Sequence, residues 1–379
     1  MSLHLHWFLP SHGDGRTIAK AANGAAARAP RRAPGIDYLG AVAQAAERFG
    51  FESVLTPFGL FCEDPWVVAS ALSQRTSLLK FMIALRPGFV SPLLVAQMSA
   101  TLQRVSGGRL LFNVVTGGDA DEQRRYGDRL DHDRRYERTA ELVDAVTRLW
   151  DGEPVDFAGS YYEMTAGLLT RPHPTRPPIF LGGSSGSAHE VAARHADVYL
   201  AWGERPDGLT ELVRKVRTLA AAQDRTLGFG TRFHVITRDS SAEAWSVAAE
   251  IMSTLDPRTV ESAQARFART ESEGQRRMAV LHGGSTDRLE VYPNVWMGYG
   301  LARPGAGATL VGSHHEVADR IAEYHRLGLD HFILSGQPHL EEAYWFGEGV
   351  LPILRERGLL EPRPCDETRD AEPNRRSAP

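Results

Sequence analysis

The run Pro178-Ile-Phe-Leu-Gly-Gly-Ser-Ser-Gly-Ser187 reads as a strand, a glycine turn and a helix start. Glycines let the backbone come close to a ligand, and free N–H groups at a helix N-terminus attract phosphate. The hydroxyls of Ser184 and Ser185 add donors there, although a plain turn with serine caps has the same look. His132 and Tyr136 stand four apart at a helix start, so they share a face and can hold an anion; a solvated helix end with charge pairs is the alternative. In Thr231-Arg-Phe-His-Val-Ile the residues alternate as a strand, with Arg232 and His234 on one face. Inside a barrel that pair is expensive unless it binds something, and arginine suits oxyanions. A structural ion pair with a carboxylate is the other reading. Cys62 precedes Glu63-Asp-Pro-Trp, a capped helix start where a thiol can have a lowered pKa. A lone cysteine is also simply small and apolar. The two cysteines, Cys62 and Cys365, are too few and too far apart for a thiolate metal site. The fourteen histidines show no His-x-x-x-His spacing, so no metal is expected.

Eight short apolar runs must position these residues: Leu3–Leu9, Glu52–Thr56, Lys80–Leu85, Leu110–Val115, Pro178–Leu181, Asp197–Ala201, Thr231–Thr237 and His331–Leu334. At or just past their ends stand His12, Phe58, Cys62, Arg86, Asn113, Thr116, Ser184, Trp202 and His339. Helical spacing falls between the runs, at Ala41–Phe49, Pro65–Leu72, Pro92–Val105, Arg135–Trp150, Ala188–His195, Leu209–Ala222 and Val317–Leu327. Strands alternating with helices predict parallel βαβ units. Eight of them predict a (β/α)8 TIM barrel, whose active site lies at the carboxyl ends of the strands. Three long connections interrupt the alternation. Gly15–Pro34 reads as a mobile loop, Asp151–Pro177 as a small hairpin plus a turn, and Pro257–Ala308 as the largest insertion. Within the last, Ser262–Val280 looks helical and Gly305–Gly307 is a hinge candidate. A loop of that size is usually a lid. The expected layout is one barrel domain over 1–360, a lid at about 257–308, and a polar, disordered tail over 361–379.

Composition narrows the partners. The formal net charge of the 379 residues is −4, from 43 basic and 47 acidic residues, which leaves no basic excess for nucleic acid. Nothing approaches 18 consecutive apolar residues, so no membrane span is expected. Met1–Pro10 lacks a basic stretch and a cleavage site, so the expected location is the cytoplasm.

The motifs also line up as a set. The chain resembles the flavin-dependent two-component alkanesulfonate monooxygenases of the bacterial luciferase-like group. The resemblance rests on Trp7-Phe-Leu-Pro-Ser-His-Gly-Asp-Gly15, Cys62-Glu-Asp, Ala84-Leu-Arg-Pro87, Leu111-Phe-Asn-Val-Val-Thr-Gly117, Leu130-Asp-His132, Leu181-Gly-Gly-Ser-Ser185, Trp202-Gly-Glu204, Arg232-Phe-His234, Arg303 with Gly305-Ala-Gly307, and Pro338-His-Leu-Glu-Glu-Ala-Tyr344. It spans roughly residues 1–360. It implies reduced FMN as cofactor and O2 as co-substrate. A separate NAD(P)H-dependent FMN reductase would supply the flavin, and the chain would form a dimer or tetramer. It also implies oxidation of the carbon beside a sulfonate, with release of sulfite and an aldehyde. By the same resemblance, Ser184, Ser185, Gly186, His132 and Tyr136 meet the FMN phosphate, and Phe58, Asn113 and Thr116 line the isoalloxazine ring. Cys62, Arg232, His234, Arg303 and His339 match the catalytic pocket, with Trp202 and Gln337 beside the substrate. Arg232 and Arg303 would clamp the sulfonate, His234 would handle a proton, and the insertion would close as a lid.

One position departs from the family pattern. A tyrosine precedes Pro-His there, whereas this chain has Gln337, which cannot act as an acid at neutral pH. A carboxamide offers a donor and an acceptor, which suits a hydroxylated sulfonate such as sulfoquinovose; Tyr299 is a neighbouring phenol that can stand in. The competing classes are a luciferase-like oxygenase acting on a sulfone, an F420-type oxidoreductase without sulfonate turnover, and, more distantly, a non-flavin aldolase or amidohydrolase barrel.

Overall fold

The computed structural model describes residues 2–16 and 32–361. Eight strands build its centre: β1 (His4–Phe8), β2 (Ser53–Thr56), β3 (Lys80–Leu85), β4 (Leu110–Val114), β5 (Ile179–Gly182), β6 (Val198–Trp202), β7 (Gly228–Arg238) and β8 (His331–Ser335). Each pairs in parallel with the next, and β8 returns to β1 with His4 opposite His331, which closes the (β/α)8 barrel. These are the eight apolar runs that the sequence offers.

Alternation along the strands sorts the side chains into two layers. One set turns inward, where Phe8, Leu55, Met82, Leu111, Phe180, Val198, Leu200 and Ile333 pack as a plug. The other set, with Trp7, Val54, Phe81, Phe112 and Phe233, packs outward against the helices. Filling the barrel this way makes it a solid support, so a ligand can sit only above the plug. Below the plug the floor is polar. His6 bonds Ser53 at 2.8 Å and His331 at 3.2 Å, while Glu52 takes His4 and Lys80, each at 2.7 Å.

The helices follow from their caps. Pro65–Leu72 has its expected bounds, capped by Asp64, whose side chain accepts from Trp66 and Val67 N–H. The helix expected from Arg135 begins three residues earlier, at His132, because Asp131 caps it by accepting from Arg134 N–H. That shift makes His132 the first helical residue. The hairpin in the second long connection forms, with Val155–Ala158 antiparallel to Glu163–Gly167.

The large insertion differs from the reading of one helix over Ser262–Val280. Two helices form, Pro257–Phe267 and Glu273–His282, because Ser272 starts the second by accepting from Gln275 N–H. Gly305–Gly307 is packed and does not behave as a free hinge. Gly305 N–H donates to Gln275 at 2.9 Å, and a Cβ on Gly307 would meet Gly300 Cα at 2.5 Å. The sequence reading also passes over helix Ser241–Ser253 and the strand Thr309–Ser313, which ends the insertion. That strand runs beside the outer half of β7. At His234 the partners of β7 change, with Ser335 on one side and Thr309 on the other. Most of the arginine-rich loop and nearly all of the tail lie outside the described residues. Among the described residues no helix is long and apolar enough to cross a membrane.

Candidate active site

An open cleft lies over the carboxyl ends of the strands, lined by residues of six of the eight strand ends and of the insertion. At one end two helix N-termini converge, Gly186–His195 after β5 and His132–Leu149 after β4. Between them Gly183 has φ +144°, and a Cβ there would lie 2.6 Å from Tyr136 Oη and 2.6 Å from Ala188 Cβ. Only glycine fits, so the backbone can approach a ligand closely. Tyr199 Oη donates to Gly183 O at 2.7 Å and holds the turn. Ser185 caps its helix, and a Cβ on Gly186 would meet nothing within 4 Å. The rings of His132 and Tyr136 are 5.1 Å apart and both face the cleft with Ser184 and Ser185. Burial pushes the Tyr136 phenol up, so it remains a donor. Donors, hydroxyls and two helix dipoles with room between them suit a phosphate.

The wider part of the cleft suits a flat ring system. Phe58, Asn113 and Thr116 line it together with Ala84, Arg86 and Gly117. Gly117 has φ +89°, and a Cβ would meet Gln123 Nε2 at 1.7 Å, so the loop lies directly on the wall. Gln123 Nε2 donates to Thr116 O at 3.0 Å and fixes it. Arg86 pairs with Glu122 at 2.8 Å and lies 5.3 Å over the Phe58 ring. Its Nε and Nη1 are buried without partners among the described residues. A buried donor left unpaired is costly, so this wall is complete only with an acceptor bound. The residues present therefore fit FMN.

On the barrel axis the cleft meets a group of charges. Arg232 lies between Ile333 and Trp202 in the sheet and over Phe8, 4.3 Å from its ring. Neither Arg232 nor Arg303 forms an ion pair among the described residues. Arg232 Nε is buried and unpartnered, while Arg303 Nη1 reaches Gln337 Oε1 at 3.5 Å. Burial, then the charge of Arg303, pulls the Arg232 guanidinium down to about 9. It still carries its charge at neutral pH. Burial, then Arg303, drives His12 down to about 3, so His12 is neutral. Two half-buried cations that form no ion pair among the described residues suit an anion.

His234 is placed differently from the expectation that it handles a proton. Its Nε2 donates to Ala306 O at 3.0 Å, and its Nδ1 accepts from Ser335 Oγ at 2.8 Å. Burial, then the two arginine charges, holds it neutral. Both ring nitrogens are engaged, and it does not line the cleft. Its ring packs against that of Tyr299, 4.6 Å away and tilted by 32°, which ties the insertion to the barrel.

The insertion covers the cleft directly. Ser272, Glu273 and Gly274 form part of its wall, and a Cβ on Gly274 would lie 3.1 Å from the Trp202 ring. Thr270 Oγ1 donates to Gly118 O at 3.1 Å, and Arg135 and Arg277 pair with Glu271 and Glu204 across the seam.

The cleft thus gathers Phe58, Asn113, Thr116, His132, Tyr136, Ser184, Ser185, Trp202 and Arg232. Gly186, Cys62, His234, Arg303, Gln337 and His339 do not line it. Of the two readings of Cys62, a helix-start thiol with a lowered pKa or a small apolar residue, the structure favours the second. Burial pushes the thiol up to about 11, and Asp64 rather than Cys62 caps the helix. It is therefore a protonated thiol and no nucleophile at neutral pH. Sequence reasoning missed Gly117, the insertion residues Ser272–Gly274, and Asp14, the buried carboxylate two residues beyond His12.

A family model described as luciferase-like monooxygenase matches residues 3–331. Among solved structures, riboflavin lyase RcaE is 23% identical with a TM-score of 0.77, covering 95% of this chain and 93% of that one. DmoA from Hyphomicrobium sulfonivorans is 22% identical with a TM-score of 0.77, covering 95% and 90%. The EDTA monooxygenase EmoA from Chelativorans sp. BNC1 is 20% identical with a TM-score of 0.74, covering 95% of each chain. At these identities the likeness is one of fold.

Proposed function

The chain belongs to the luciferase-like monooxygenase family, and we propose that it is an FMNH2-dependent oxygenase that desulfonates an organosulfonate, releasing sulfite and an aldehyde. The observation that carries this reading is the juxtaposition of the cleft with Arg232, which lines it, and the neighbouring Arg303, two half-buried guanidiniums that form no ion pair among the described residues. The riboflavin lyase that this chain resembles was solved with a modified FMN. When bound, reduced FMN supplies the electrons that activate O2. No Gly-x-Gly-x-x-Gly turn is present to hold a dinucleotide, so a separate NAD(P)H-dependent reductase delivers the flavin.

The chain's own residues do the rest. Ser184, Ser185, His132 and Tyr136 hold the phosphate, with the backbone at Gly186 open beside them. Phe58, Asn113 and Thr116 set the plane of the rings. Arg232 and Arg303 clamp the sulfonate through charge-assisted forks, which are about twice as strong as neutral hydrogen bonds. Trp202, under the insertion, shields the reacting carbon from water. Gln337 lies against Arg303 and meets substrate hydroxyls through its carboxamide. A hydroxylated sulfonate, with a sulfosugar such as sulfoquinovose foremost, is the proposed substrate class.

The test combines purified protein, an FMN reductase and NADH with a panel of sulfonates, reading sulfite. Sulfite from the sulfosugar in preference to a medium-chain alkanesulfonate is the expected result. The Gln337→Tyr variant should shift that ratio toward the alkyl chain. A wild type that prefers the alkyl chain, with no change in the variant, removes the hydroxylated class. Sulfite from none of the panel removes desulfonation itself.

A further inference from the structure

Asp14 sits where β1 leaves the barrel, and its side chain is fully buried. Four groups converge on it. Oδ2 accepts from the backbone N–H of His339 at 2.7 Å and from the phenol of Tyr38. Oδ1 accepts from Gly15 N–H at 2.8 Å and faces His339 Nδ1 at 3.1 Å. Burial alone would raise this carboxyl. His339 and the hydrogen bonds from His339 and Tyr38 outweigh it and hold the group well below the usual carboxylate range.

A carboxylate can only accept, so Nδ1 of His339 must carry a hydrogen. In the neutral ring Nε2 is then a bare lone pair. That nitrogen is buried and has no partner among the described residues. The ring lies 5.7 Å from Phe8, whose face also carries Arg232, and His12 lies 6.3 Å from Phe8 on the same strand's exit. That nitrogen therefore stands in the same charged group as Arg232, Arg303 and the Asp14 carboxylate, whose charge also acts on Arg303. A ligand that satisfies all of them has an anionic head for the arginines and an O–H donor for the imidazole.

We propose that Asp14 and His339 form a carboxylate–imidazole dyad in which Asp14 fixes Nδ1 as protonated and His339 Nε2 accepts a hydrogen bond, and then the proton, from a hydroxyl of the substrate. Asp14 is a positioning residue here, and His339 is the group that meets substrate. If the proton moves, the substrate O–H bond breaks, Nε2–H forms, and the imidazolium is neutralised by Asp14 at its far side. The substrate assignment rests on the function proposed above, but the dyad does not. His234 cannot take this role, since both its nitrogens are engaged.

Two measurements separate these layers. Nitrogen-15 NMR of histidine-labelled protein should show His339 with hydrogen on Nδ1 and a bare Nε2, and Asp14→Asn should lose that preference. A wild-type ring with hydrogen on Nε2 overturns the dyad, whatever the substrate. The second measurement is binding of 2-hydroxyethanesulfonate against ethanesulfonate to the protein loaded with FMN. The wild type should favour the hydroxylated probe about fivefold, the worth of one buried neutral hydrogen bond. His339→Asn keeps a donor for Asp14 and deletes the atom at Nε2, so its two affinities should be equal. An unchanged preference in His339→Asn overturns the hydroxyl assignment. If neither probe binds the wild type, the sulfonate reading and the hydroxyl contact fail together, and the NMR result still decides the dyad.

Discussion

Arg232→Met should stabilise the folded protein while abolishing its response to oxyanions. Arg232 lies in the barrel with an unpartnered Nε and with Arg303 as a like-charged neighbour. Its guanidinium is pulled down to about 9. Against an ordinary arginine near 12.5–13.8, that drop corresponds to roughly 5 kcal/mol of cost for keeping the charge. Methionine fills much of the same volume over Phe8 without that charge. Replacing buried ions with apolar groups of similar size is often stabilising by about 1–4 kcal/mol, and a gain of about 1–3 kcal/mol is expected here. The assay is urea unfolding without and with a small sulfonate or sulfate. The wild type should gain stability as the anion rises, since the anion binds only the folded state. The variant should start higher and show no gain. A variant that loses stability, or one that the anion still stabilises, refutes the reasoning that Arg232 is an unneutralised cation awaiting an anion.

Other expectations follow from the same geometry. Reduced FMN should bind more tightly than oxidised FMN in an anaerobic fluorescence titration, and the pure protein should not consume NADH; the reverse on either count speaks against delivery by a separate reductase. Gly183→Ala forces a methyl to within 2.6 Å of Tyr136 Oη at a φ that alanine rarely adopts. It should weaken FMN at least tenfold, on the order of 1.4 kcal/mol, and unchanged binding by equilibrium dialysis would place the phosphate elsewhere. The floor of the barrel sets an acid limit. Burial, above all, lowers His6 to about 4. Above the ordinary value of about 6.5 the folded and unfolded states are both neutral. Below it only the unfolded chain takes the proton, so stability falls as pH drops from about 6.5 to about 4, by roughly 1.4 kcal/mol per pH unit and about 3 kcal/mol in all. Urea midpoints between pH 7.5 and 5 should fall more steeply in the wild type than in His6→Gln, and equal slopes would contradict this.

The barrel was legible because its strands are short apolar runs separated by helices with clear periodicity. One end of the cleft was legible as a cluster too, since Gly183, Ser184 and Ser185 are contiguous, His132 and Tyr136 are one helical turn apart, and all five line it. What failed depended on distant packing. Asp14 gains its meaning from His339, 325 residues away. The place of Cys62 before a helix left a lowered pKa and a small apolar role both open, and burial, which a local motif does not reveal, decides for the second. His234 alternates onto the same face as Arg232, yet the change of strand partners at its position gives it Ser335 and Ala306 instead of the cleft. Helix Ser241–Ser253 carries a capping box of Ser240 and Glu243, a signal present in the sequence and passed over.

The central claim is that reduced FMN held in this cleft directs oxygen at a sulfonate gripped by Arg232 and Arg303. It is tested most directly by a single turnover: protein loaded anaerobically with reduced FMN and a hydroxylated sulfonate is mixed with oxygenated buffer, and sulfite is measured per flavin. The account predicts close to one sulfite per flavin in the wild type and almost none in Arg232→Met, with flavin binding retained. Hydrogen peroxide as the sole product of the wild type, or full sulfite yield from the variant, would contradict it.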